Sequence, residues 1–448
     1  MTRQDIIGTA FRVWGRQAYK STSLTDVARE LGVSKPALYR HFKNKEALVD
    51  ALSESFFNRY AAFIKPAYEK ALSALPNETE CLYIMTTAIA EYYIRNVYDF
   101  VFSVVKAFDK KNNAALLARG VDFSVFVRAR DRLVYPSDVQ LVMATVIFIV
   151  AHFHKRNFQT GETPTEEKIE KICRFIVRRI KFGMELDRET VEKIKNMDYE
   201  KLERRVAETI DFSENESKEK NLLDAVGAAI AEVGPWKVSM DLAARKSGLS
   251  KSGLYCYFAG KDDMLDRFFT TEFNRLVIAT ERGKALSDEP VEQFYLIIAA
   301  MAEYLRSRPD ILATVNWLKT QTDEFMINWR RANGAEYDPE ETFRNPRFSA
   351  LFSDIFSKMP TQNAGKMQDI LFPNIVPFLV VNILMSRGGG PDDAPHFRVL
   401  FKFLTMGIDG GIPTESCSSS QGRESVCVGC ESDLREFENP RRESGTIK

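Results

Sequence analysis

Residues Leu31–Lys45, LGVSKPALYRHFKNK, and Ser247–Lys261, SGLSKSGLYCYFAGK, are two versions of one motif. Ser34 falls on Ser250 and Lys45 on Lys261, so the two align without a gap at an offset of 216 residues. Gly, Ser-Lys, Leu-Tyr, Phe and Lys recur in register. Recurrence of that order at one spacing reads as an internal repeat. In each copy a glycine stands where one helix ends and a serine where the next begins. That is the punctuation of a helix-turn-helix.

Working outward, apolar residues recur at helical spacing and no run shows the alternation of a strand. Ile6, Ile7, Ala10, Phe11 and Trp14 predict a first helix over 3–17. Ser23 and Asp26 form a capping box for a second, which carries Leu24, Val27, Ala28 and Leu31 inward and stops at Gly32. Ser34 caps a third helix with Pro36 in its first turn, and Asn44 or Lys45 starts a fourth. The second copy repeats the plan, with Leu222, Leu223, Val226 and Ile230 as its first stripe, Ser239 and Ser250 as caps and Gly248 as the stop.

The longer segments behind the two motifs are also related. Ile89–Tyr92 matches Met301–Tyr304, and Ile180–Glu185 matches Leu404–Asp409. The repeat is therefore a whole protomer. The expected organisation is a head at 1–48, a helical body at 49–187, a charged linker at 188–217, a second head at 218–265, a second body at 266–412 and a disordered tail at 413–448. The linker's first part reads as a solvated helix and its end, Ser213–Lys220, as flexible. The fold class is all-α.

The whole-chain composition agrees. With 448 residues the chain holds several domains, and 45% hydrophobic residues supply their cores. A net charge of zero leaves room for a small basic head on a neutral body. The first residues lack the apolar core of a signal peptide, and the run Val139–Ala151 is too short to cross a bilayer, so a cytoplasmic protein with no membrane partner is expected. No nucleophile–base set, phosphate loop or carboxylate pair stands out, so neither an enzyme nor a cofactor is expected.

In the third helix Leu38 and Phe42 share a face and should pack inward, turning Pro36, Ala37, Tyr39 and Arg40 outward. A helix held this way enters the major groove of double-stranded DNA with its first residues near base edges. Arg40 has the geometry for guanine, and Lys35 for guanine or a phosphate. Pro36 and Ala37 suit a thymine methyl. Tyr39, His41 and Lys45 suit the backbone, as do Thr22, Ser23, Thr25 and Ser34. In the second copy the matching residues are Ser250, Lys251, Ser252, Tyr255, Tyr257 and Lys261.

The stretch Ser23–Leu48 resembles the DNA-binding domain of the TetR (tetracycline-repressor-like) family, and Met240–Leu265 resembles it less closely. The resemblance implies an all-helical protomer whose larger domain holds a pocket for a small-molecule ligand and a dimerisation surface made by its last two helices. Ligand binding would shift the heads and release DNA. It implies a ligand-responsive regulator, more often a repressor. Two features depart from the pattern. Two unequal protomers are fused, which allows either an intramolecular pseudo-dimer or a homodimer with four heads. In the second recognition helix Arg40-His41 becomes Cys256-Tyr257 and Pro36-Ala37 becomes Ser252-Gly253, so that head either reads DNA poorly or serves as a built-in dimerisation partner.

Other residues admit two readings each. His152 and His154 line a pocket or bind a metal, or simply mark a helix end turning polar. Glu91, Tyr92, Glu303 and Tyr304 are pocket groups or helix-surface residues. Phe100, Phe102, Phe108, Phe123 and Phe126 are core, or walls of an apolar cavity. Cys417, Cys427 and Cys430 have metal-like spacing but lack a fourth ligand, so no metal is expected.

Overall fold

The computed structural model describes residues 1–16, 23–75, 77–104, 112–123, 138–160, 163–209, 218–235, 237–313, 346–359, 367–387 and 393–410. The Cys417, Cys427 and Cys430 tail, Thr22, Phe108 and Phe126 lie outside them. Among the described residues every regular element is a helix.

Each head is three helices at the front of a long fourth. In the first they are Arg3–Arg16, Leu24–Glu30 and Lys35–Tyr39, followed by Lys45–Ala74. Ile6, Ala10 and Trp14 are sealed beneath Val27, Leu38, Phe42 and Leu48. Burying each large side chain of this kind contributes about 1.5–3 kcal/mol. The Trp14 indole N–H donates to the Ser23 carbonyl at 3.3 Å and pins the first helix to the start of the second. In the second head the helices are Lys218–Val233, Met240–Ser247 and Lys251–Tyr255, then Lys261–Lys284. Val226, Ile230, Leu254 and Phe258 fill the same places. The head–body boundaries read at 48/49 and 265/266 fall inside Lys45–Ala74 and Lys261–Lys284, so head and body share one continuous element.

The first body adds Glu78–Arg95, Val97–Phe102, Asn112–Leu117, Asp138–Thr160 and Glu166–Phe182; the second adds Pro290–Ser307, Pro346–Lys358, Met367–Arg387 and Ala394–Met406. Aromatic rings dominate both cores. Phe294 meets Phe352, Phe356, Phe372 and Phe401 edge-on, with centroids 5.4–6.0 Å apart. Such pairs add about 0.5–1.5 kcal/mol beyond their area.

The two halves meet through the last two helices of each body. Glu166–Phe182 packs on Ala394–Met406, and Asp138–Thr160 on Met367–Arg387, where Phe148 and Phe378 sit 4.6 Å apart. Both Glu166–Phe182 and Ala394–Met406 end at a glycine with positive φ, +56° at Gly183 and +63° at Gly407. The backbones touch there. Met184 N donates to the Thr405 carbonyl at 2.9 Å, and Asp409 N to the Lys181 carbonyl at 2.8 Å. A β-carbon on Gly183 would fall 2.5 Å from the Thr405 carbonyl carbon, and one on Gly407 would collide with the Lys181 carbonyl. The sequence match between Ile180–Glu185 and Leu404–Asp409 therefore marks the seam, where only glycine fits.

The charged segment behind the first body is not a solvated helix. It forms Arg188–Asn196 and Tyr199–Thr209, which bury Val191, Ile194, Tyr199, Leu202 and Val206. These helices pack on Pro290–Ser307 of the second body. Glu203 accepts from the Tyr295 hydroxyl and from Arg398 at 2.7–2.8 Å. The apolar stripe is narrow enough to be masked by the charges between its members.

Candidate nucleic-acid interface

In the first head Ser23 caps the second helix, its hydroxyl accepting from Thr25 N at 3.1 Å, while Asp26 pairs with Arg29 instead of closing the predicted box. Gly32 takes φ +66°, and Val33 N reaches back to the Ala28 carbonyl at 3.0 Å. That reversal sets the angle of the third helix. Leu38 and Phe42 are 1% and 3% exposed, as their spacing predicts. Arg3 stacks over the Phe42 ring, 4.7 Å from its centroid, and ties the outer edge of the head together. Lys35, Pro36, Tyr39 and Arg40 are exposed, and Ala37 and His41 are half-buried beside them. Ser34 occupies the cap position, yet its side chain makes no cap bond, leaving the hydroxyl for an outside partner. Asn44 caps the fourth helix by accepting from Ala47 N at 2.8 Å, with exposed Lys43 and Lys45 on either side. Thr25 is exposed at the start of the second helix, and Ser23 is half-buried.

The second head keeps the plan and changes the display. Gly248 takes φ +69°, and Leu254 and Phe258 are buried. Ser250 spends its hydroxyl on Gly253 N at 3.0 Å and lies 3.1 Å from the Ser252 hydroxyl. Lys251 is held by Asp241 at 3.2 Å; the first head has Thr25 in place of that aspartate. Tyr255 and Tyr257 are exposed, and the Tyr257 carbonyl accepts from Arg267 at 2.7 Å. Burial pulls the Lys261 ammonium below the usual lysine range. Gly260 provides no side-chain cap, and Asp262 and Asp263 occupy the first turn of the helix that follows. Over residues 6–52 the first head has eight Lys and Arg against Asp26, Glu30, Glu46 and Asp50. Over 222–268 the second has six against six.

The junctions that join heads to bodies also differ. In the first, Phe11 packs edge-on against Phe102 with centroids 5.3 Å apart, and Arg59 lies over the Phe11 ring while donating to Asp99 at 2.6 and 3.1 Å. The Tyr92 hydroxyl donates to the same carboxylate, and burial pushes that phenol well above its usual range. In the second, Gly227 replaces Phe11 and charge replaces the rings. Arg308 reaches Asp224 of the head at 3.0 Å, Asp310 at 3.1 Å and buried Glu272 at 3.3 Å, while Arg275 pairs with Glu272. Tyr304 donates to Glu272 at 2.7 Å. So Tyr92 and Tyr304 are inward groups with carboxylate partners, whereas Glu91 and Glu303 are half-buried members of ion pairs with Arg95 and Arg306.

His154 does not sit at a helix end. The helix continues to Thr160 and leaves His154 2% exposed. One ring nitrogen lies 2.6 Å from the Tyr93 carbonyl and the other is buried without a partner. Burial lowers its pKa to about 4. A neutral imidazole there donates from Nε2 and keeps Nδ1 as an unused acceptor. The side chain of His152 lies outside the described residues. Phe100 and Phe102 are core, and Phe123 is partly buried against it. Neither the lack of ion-pair partners for Lys35, Arg40, Lys43 and Lys45 among the described residues nor the Asp241–Lys251 pair is visible in either sequence motif alone; both depend on how separate helices meet.

The family described as bacterial regulatory proteins, tetR family, matches residues 6–52 and again 222–268. The chain is 32% identical over 76 residues to the uncharacterized HTH-type transcriptional regulator YerO of Bacillus subtilis (strain 168), covering 17% of this chain and 26% of that protein. It is 42% identical over 55 residues to tetracycline repressor protein class C of Escherichia coli, covering 12% and 25%. It is also 42% identical over 53 residues to the HTH-type transcriptional regulator AcrR of Shigella flexneri, covering 12% and 25%. The chain spans about a quarter of the length of these relatives.

Proposed function

We propose that this chain, which carries two tetR-family DNA-binding domains in tandem, is a ligand-responsive transcriptional regulator acting as a repressor on double-stranded DNA. The observation that carries this reading is the recognition helix Lys35–Tyr39, whose Leu38 anchor is buried while Lys35, Pro36, Tyr39 and Arg40 face solvent beside the free Ser34 hydroxyl. Arg40 takes a guanine edge, and Lys35 a base or a phosphate. Pro36 and Ala37 touch a thymine methyl. Tyr39, His41, Lys45, Thr22, Ser23, Thr25 and Ser34 hold the backbone. The seam at Gly183 and Gly407 supports an intramolecular pseudo-dimer, because each body's last two helices are already covered by the other's. The bodies are the place for a small-molecule ligand, whose binding would be felt at the heads through the Phe11 and Arg308 junctions. A cytoplasmic regulator without enzymatic activity fits the relatives, all named as regulators or repressors.

The test is Arg40→Ala in the full chain, read by fluorescence anisotropy on a duplex enriched from a random pool and on a scrambled duplex. Loss of roughly 1–3 kcal/mol on the enriched duplex, with little change on the scrambled one, is expected. Equal losses on both would remove Arg40 from base reading.

A further inference from the structure

We infer that the two heads take unequal shares of the DNA: the first reads one half-site, and the second adds neither base contacts nor net attraction for phosphate. The inference rests on the DNA-binding reading above and specifies the operator it uses, a single unpaired half-site for each chain.

Four observations carry it. The first head has an excess of four positive charges over 6–52, and the second has none over 222–268. Phosphate neutralisation supplies essentially all sequence-independent affinity, so a head without excess cation gains little from the backbone. Next, the surviving cation at the start of the second recognition helix is paired from within. Asp241 holds Lys251, while the Ser250 hydroxyl oxygen accepts from Gly253 N and is turned to its own helix. A phosphate approaching Lys251 must compete with a carboxylate already in place. In the first head, by contrast, Lys35, Arg40, Lys43 and Lys45 have no ion-pair partner among the described residues.

The third observation is at the base edge. Arg40, with five donors in a fixed fork, corresponds to Cys256, a weak donor whose thiol already points 3.5 Å from the Ser252 carbonyl. Lys43 corresponds to Ala259, and Ala47 to Asp263, which places two aspartates at the turn where the first head has Glu46 alone. The last concerns pairing. A palindrome needs two identical first heads brought together by two chains. The helices that would join those chains, Asp138–Thr160 and Glu166–Phe182, are covered by Met367–Arg387 and Ala394–Met406 of the same chain. The fused partner supplies a fold mate and no second copy of the reading surface.

The experiment is the salt dependence of binding of the full chain to a random-sequence duplex, with single variants in each head. Four free cations predict a slope of log K against log salt of roughly −4, and two equal heads would give about twice that. Lys35→Ala and Lys45→Ala should each flatten the slope by about 1, and Lys251→Ala and Lys261→Ala should leave it unchanged. Lys35, Lys45 and Lys251 are exposed and Lys261 is half-buried, and unchanged thermal unfolding checks that each variant is folded. In the reverse direction, the double variant Asp241→Thr, Cys256→Arg frees Lys251 and restores a guanine reader, so it should steepen the slope and tighten binding roughly tenfold. Equal flattening by Lys35→Ala and Lys251→Ala would overturn the inference and leave DNA binding standing. Failure of the unaltered chain to bind any duplex at low salt would remove both.

Discussion

Lys35 and Lys251 occupy the same turn of the same helix in two copies of one head. Lys35 stands alone in solvent, and Lys251 is paired with Asp241. The difference was made elsewhere, at the start of the preceding helix, where Thr25 in one copy is Asp241 in the other. The backbone plan survived duplication because it depends on a few buried anchors, Leu38 and Phe42 or Leu254 and Phe258. The surface plan did not, because nothing in the core depends on it. Two domains with one fold can therefore do different work, and function has to be argued from the displayed groups.

The largest way to break the comparison is at the junctions. Phe11→Ala should cost about 3–5 kcal/mol, since it removes a buried ring and leaves Arg59 uncovered. Arg308→Met should cost about 3 kcal/mol, since it strips a shared cation from Asp224, Glu272 and Asp310. Hydrogen exchange separates them: the first variant should loosen the first head, the second variant the second. Raising salt should narrow the Arg308 effect slightly, through the more exposed Asp224, and leave the Phe11 effect alone. If both losses respond to salt alike, the two junctions are not different in kind.

A second difference lies in the bodies, because the first buries His154. Its folded pKa of about 4 lies below the ordinary value of 6.5. Between those values the unfolded chain binds the proton and the folded chain does not. Stability is therefore full above pH 6.5 and falls as pH drops toward 4, by about 3 kcal/mol in all. His154→Phe should flatten that part of the acid limb in denaturant titrations at pH 7 and pH 4.5. An unchanged limb would place the lost stability in the carboxylates.

The smallest effect sharpens the comparison at the caps. Asn44→Ala should cost about 1 kcal/mol through the lost bond to Ala47 N. Gly260 has extended backbone and open space around its missing β-carbon, so Gly260→Asn should stabilise the second head by a few tenths of a kcal/mol. Paired melting curves of the two variants read both. Destabilisation by Gly260→Asn would mean that the two caps are not equivalent positions.

Much of the fold was legible because its signals are local. Apolar spacing places Ile6, Ala10 and Trp14 inside, and Gly32 and Gly248 mark turns that need positive φ. The Gly183 and Gly407 matches were visible as repeats, but only their contact explains why they recur. The helices at 188–209 were harder to read, since five buried apolar residues are spread among charges and their partner surface is about a hundred residues downstream. His154 misled for the opposite reason: His-Lys-Arg reads as a polar helix end, yet the helix runs on and the ring turns inward. At the candidate interface, residue types pointed to Lys35–Tyr39 as the proposed reading helix. Which lysines are free and which are held depends on contacts between helices, and no motif records those.

The most direct measurement is selection of bound sequences from a random DNA pool by the full-length chain. The account predicts one enriched half-site, without a mirrored copy and without a second motif at fixed spacing. Enrichment of two half-sites, like or unlike, would contradict the unequal division between the heads. No enrichment with or without added small molecules would contradict the reading of this chain as a DNA-binding regulator.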